Sequence, residues 1–244
     1  MRSAAAAALY AITFSALLAA APAAGHQIWL EQSDGNAAIY YGELQNNLRE
    51  ASPGELDDVQ PTARLLTPTG ERPLTAKKSA TGFTLSGRTG TGESLVAEDQ
   101  RLPVYNRKVG DKVIKTAPTL AARHVTDFAV REPVLALDIV PMGRPGLFRL
   151  TFKGKPLAKA RIDVVPESGW MRLLRTDEQG MLDTNLPWPG LYYVKAIHHD
   201  PAPGERGGVP YEAASYTTTL SFVVKDGIAP PPLPPLTPLA KPAN

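Results

Sequence analysis

The chain has 244 residues, a formal net charge of +2 and no cysteine, with 24 prolines and 20 glycines. A balance this close to neutral gives no electrostatic footprint for nucleic acid. The missing thiols exclude disulfide stapling and thiolate chemistry, so an exported form would need a proper apolar core. In chain order, Arg2 comes first, then a small apolar run from Ala4 to Ala21, then "AAPAAG". Charge, short apolar run and small-residue cleavage region together read as a secretory signal peptide over residues 1–25. The run is too short and too alanine-rich to make a stable membrane span. The expectation is a periplasmic protein that begins between Ala24 and His26 and has no span after processing.

Strand signals follow almost everywhere. "HQIWLE" alternates, with His26, Ile28 and Leu30 on one side and Gln27, Trp29 and Glu31 on the other. "AAIYYGE", "TARLLTP", "GFTLSG", "ESLVAED", "RHVTDFAV" and "PVLALDIVP" are short, apolar and bounded by turn residues. Only "ELQNNLRE" hints at a helical turn. "PMGRPG", at 141–146, separates this set from a second one. There, "GLFRLTFKGKPLAKARIDVVP" turns at Lys153 to Pro156, and "WMRLLRTDEQGMLDTNLP" turns at Asp177 to Gly180. "PGLYYVKAIHHD" and "ASYTTTLSFVV" complete it. The expected fold is all-β, with two β-sandwich domains over 26–144 and 145–226, the second immunoglobulin-like. The proline-rich stretch over 227–244 is expected to be a disordered, solvated tail.

"HQIWLE" after the leader, "YYGE", "GESLVAED", "RHVTDFA", "FKGKPLAKARIDVV", "TDEQGM", "WPGLYYVKAIHHD" and "GERGG" resemble, in that order, the NikM-like domain-of-unknown-function family. The resemblance spans His26 to about Val224. The second half also resembles transthyretin-like or carboxypeptidase-regulatory sandwiches. The resemblance implies a periplasmic protein associated with nickel uptake, with no established reaction.

The chain has four histidines, His26, His124, His198 and His199. Depending on the cut, His26 becomes the first, second or third residue. Its imidazole could then act with the terminal amine, and with backbone amides in the longer forms, in a nitrogen site suited to nickel or copper. "HHD" supplies His198, His199 and Asp200. Neighbouring strand residues face opposite ways, so an unbroken strand allows only one of the two histidines to join a given ion. Asp200 could ligate or could orient an imidazole. Sharing one ion between His26 and this strand end requires the first strand to lie against the second sandwich. His124, beside Thr126 and Phe128, reads as a packed core histidine. Glu43, Glu50, Glu55, Asp57 and Asp58 lack the spacing of a calcium loop and read as solvated charge.

Catalytic patterns are absent. "TGTGES" and "GERGGV" lack the Gly-Lys-Ser/Thr ending of a phosphate loop, and Ser94 and Ser168 lack a nucleophile-elbow setting. The expectation is therefore a non-catalytic protein that binds nickel or copper through His26, His198, His199 and Asp200, with an envelope transporter or receptor as its further partner. The competing expectation is a metal-free interaction module of the cell envelope.

Overall fold

The computed structural model describes residues 25–237. Residues 1–24, where the leader and its cleavage region are expected, and residues 238–244 lie outside the described residues. The fold is all-β. The described residues form no α-helix, only 3-10 turns at Leu44–Asn46 and Glu55–Asp58. None of their helices is long and apolar enough to cross a membrane. The strands of the first half are β1 (Gln27–Gln32), β2 (Ala37–Glu43), β3 (Leu48–Arg49), β4 (Thr62–Thr67), β5 (Gly70–Leu74), β6 (Ala76–Ser79), β7 (Gly82–Leu85), β8 (Ser94–Asp99), β9 (Tyr105–Val109) and β10 (Lys112–His124). The second half adds β11 (Leu137–Pro141), β12 (Leu147–Phe152), β13 (Lys155–Pro156), β14 (Arg161–Pro166), β15 (Arg172–Arg175), β16 (Met181–Asp183), β17 (Gly190–Asp200), β18 (Gly204–Arg206), β19 (Val209–Tyr211) and β20 (Ala213–Val224).

One nine-stranded sheet runs through both halves in the order β15-β14-β17-β20-β10-β8-β4-β5, with β9 paired to β10. Its halves join at β10 and β20, which run parallel from Thr116 opposite Ala213 to His124 opposite Ser221. Smaller sheets cover its two faces. β1, β2, β7 and β6 close a core of Ile28, Leu30, Ile39, Leu56, Leu95 and Leu120 among others. β11, β12, β13 and β16 close a second core around Ile139, Phe148, Val164, Tyr192, Leu220 and Phe222. Each such fully buried side chain contributes about 1.5–3 kcal/mol of transfer free energy. The second core also takes in Val125, just after β10, and Leu137 of β11.

Alternation along β20 explains how β1 is seated. Leu220 and Phe222 point into the second core, while Thr217, Thr219 and Ser221 face the other way. β1 pairs with β2 alone, so its outer edge would leave carbonyls unmatched in a dry interior. Thr219 Oγ1 donates to the Ile28 carbonyl (2.9 Å) and Ser221 Oγ to that of Leu30. Trp29 packs edge-on to Tyr193 of β17, whose hydroxyl donates to Glu31 (2.7 Å). The first strand therefore lies directly against the strands of the second half.

Beyond β20 the described residues run on without regular structure. The Ile228 amide donates to Pro187 O (2.9 Å), Asn47 Nδ2 to Pro234 O (3.1 Å) and the Thr237 amide to Asn47 O (3.3 Å). The described part of the tail thus returns to the turn that follows Glu43.

Candidate metal centre

His26 immediately precedes β1, and strand register decides what surrounds it. Gln27 pairs with Gly42, and Gly42 with Arg49, so the start of β1, the end of β2 and β3 lie side by side. Gly42 sits at φ +146°, and a Cβ there would run into the Leu48 carbonyl, so the close β2–β3 approach requires glycine. After β3, Glu50 is tied back by its amide to Tyr41 O (2.8 Å). The following loop carries Glu55 and is anchored by fully buried Leu56. Ser52 and the Gly54 amide hold Asp57 in this loop, at 2.7 and 2.9 Å, and Lys78 pairs with the same carboxylate on the outside.

These elements place three carboxylates around one imidazole. His26 Nε2 lies 2.7 Å from Glu50 Oε1 and 3.4 Å from Glu55 Oε2, and Nδ1 lies 3.6 Å from Glu43 Oε1. The His26 side chain is only 6% exposed and Glu50 13%, whereas Glu55 is 45% exposed and gives the cluster a solvent side. Nδ1 is buried and makes no hydrogen bond. One donor atom from each of His26, Glu50 and Glu55 falls within 4.8 Å of the others. Ligands held by one ion at about 2.0–2.2 Å lie roughly 3–3.5 Å apart, so the set needs little movement to close on a cation. The ring also rests on Tyr41, with centroids 5.0 Å apart. Burial first, then the charges of Glu55 and Glu50, push the Tyr41 phenol well above its ordinary value. The Tyr41 ring is a wall of the site against the imidazole.

His26 and Tyr41 form one wall of a cleft of about 140 Å³, with Tyr105, Arg107 and His199 also lining it. His199 lies at an exposed strand end, and its pKa is lowered by burial first, then by Arg107 and His198. His198 projects from the other face of β17, as alternation demands, and packs on Phe152 with ring centroids 4.3 Å apart. Asp200 shares that face and pairs with Lys153 Nζ at 2.8 Å. Of the four residues singled out in the sequence, His26 and His199 therefore share a cleft, while His198 and Asp200 lie across the sheet from it. His124 is a core residue. Its Nδ1 lies 2.9 Å from Ser221 Oγ, and burial lowers its pKa to about 4.

The sequence missed the partners of His26. Glu43, Glu50 and Glu55 read as solvated charge, yet the fold gathers them on the imidazole. A hairpin between "HQIWLE" and "AAIYYGE" would have set His26 opposite Glu43. Nothing in local spacing marks Glu50 or Glu55, whose approach depends on the loop behind Leu56. In the comparisons with known proteins, no family model, no curated protein and no solved structure matches this chain.

Proposed function

We propose that this is a non-catalytic, periplasmic protein that binds nickel or copper at His26, Glu50 and Glu55, with Glu43 behind the imidazole, and handles the ion for an envelope transporter or receptor. The observation that carries this is a nearly buried histidine whose Nε2 faces two carboxylates, Glu50 and Glu55, with one donor atom from each of the three within 4.8 Å of the others. Imidazole with carboxylate oxygen suits divalent ions of the later first row, among which copper binds tightest for a given site. Removal of the leader would bring a terminal amine close to the same ring as a further nitrogen. The resemblance to NikM-like proteins read from the order of motifs in the sequence points the same way. His199 is left out of the ligand set because its donor atoms are not among those gathered at His26.

The test is calorimetric titration of nickel(II) and copper(II) into protein lacking the leader. His26→Ala should abolish binding, Glu50→Gln should weaken it at least tenfold, and His198→Ala should leave it unchanged. Equal affinity in all four proteins would defeat the proposal. A second reading, the metal-free envelope module, is favoured by one contact. The 2.7 Å separation of Nε2 and Glu50 is also a complete hydrogen bond for a ring protonated there. It would prevail if the unaltered protein bound neither ion.

A further inference from the structure

We infer that the cleft beside His26 holds a second subsite, at Arg107 and His199, for a small carboxylate, so that the whole cleft accepts a metal–carboxylate chelate. The chelate part rests on the proposed ion site, whereas the carboxylate subsite stands without it.

The charge distribution makes the argument. One wall of the cleft is backed by Glu43, Glu50 and Glu55, gathered on His26. Arg107 brings a cation to the same cleft. β9 pairs with the first part of β10, Arg107 opposite Ile114, and Arg107 lines the same cleft as His26 and Tyr41. Its Nε is buried and makes no hydrogen bond. A guanidinium is a rigid fork of donors suited to two-point binding of a carboxylate, and an unmatched buried donor on it costs free energy that an anion would recover. Ser215 and Thr217 of β20, together with His199 of β17, line the cleft beside it and bring side-chain donors of their own. The three glutamates do not supply the missing partner, because the fold aims them at His26. A bare divalent ion would meet attraction from the glutamates and repulsion from Arg107. A ligand with a cationic and an anionic end satisfies both. A carboxylate can also ligate the ion and fits so small a space, about 140 Å³.

Citrate, nickel(II) and preformed nickel–citrate are the probes, each titrated by calorimetry into protein lacking the leader and otherwise complete. The variants are Arg107→Gln and His26→Ala. Citrate alone should bind the unaltered protein, and Arg107→Gln should weaken both citrate and nickel–citrate at least tenfold while changing nickel alone less than threefold. His26→Ala should abolish nickel binding and leave citrate binding intact. Circular dichroism of Arg107→Gln, whose side chain is only part-buried, checks that the fold survives. If nickel binds but citrate does not, or if Arg107→Gln binds citrate as the unaltered protein does, the subsite is overturned while the ion site stands. If citrate binds in an Arg107-dependent way and nickel does not bind, the carboxylate subsite stands and the ion proposal falls.

Discussion

Replacing His124 with glutamine should change how stability depends on pH. The imidazole is 2% exposed and held neutral, with its pKa lowered to about 4 by burial, against 6.5 for the free side chain. Below pH 6.5 the unfolded chain takes up a proton that the folded state refuses, so stability rises with pH across that window. The contribution is fully present above pH 6.5 and is lost as pH falls toward 4. A gap of about 2.5 pH units at 1.36 kcal/mol per unit corresponds to roughly 3 kcal/mol. For a domain whose total stability is on the order of 5–15 kcal/mol, that is a large share. His198 and His199 are shifted in the same direction but are far less buried, so they add to the slope in both proteins. The assay is urea unfolding at pH 4.5, 5.5, 6.5 and 7.5 for the unaltered protein and His124→Gln. The difference between the two curves should shrink by about 2–3 kcal/mol from pH 7.5 to 4.5. Parallel curves would show that His124 is not held neutral in the core.

Asp138→Ala should cost about 3–5 kcal/mol in urea unfolding, because it strands a fully buried Arg123 whose Nη2 lies 2.6 Å from the carboxylate. The same carboxylate accepts from the Val134 and Leu135 amides, and Arg123→Met with Asp138→Leu should recover much of the loss. Thr219→Val keeps the shape of β20 but leaves the Ile28 carbonyl unmatched, so it should cost about 1–3 kcal/mol, read as a fall in thermal midpoint. Tyr193→Phe removes the hydroxyl that ties β17 to Glu31 and should speed hydrogen exchange of β1 amides more than those of β12.

The sequence made some of this legible and hid the rest, for physical reasons. Alternation in "GLYYVKAIHHD" already implied that His198 and His199 part company, and β17 continues unbroken through Asp200, so they do. The strand content followed from short apolar runs between turn residues. The parallel pairing of β10 with β20 was hidden, because parallel partners need no shared turn and can lie far apart in the chain. That pairing merges two apparent sandwiches through one sheet and gives β1 its hydroxyl-lined bed. Glu50 and Glu55 were hidden for a similar reason. Their charge suits solvent, and only the packing of Leu56 and the β2–β3 register turns them toward His26.

Pulsed electron paramagnetic resonance of copper(II) bound to the leader-free protein tests the ion site most directly, because it reads the nitrogen ligands themselves. The expected spectrum carries modulation from the remote nitrogen of a single imidazole, kept in His198→Ala and His124→Ala and lost in His26→Ala. Modulation that survives in His26→Ala, or a free-ion spectrum in the unaltered protein, would contradict the account.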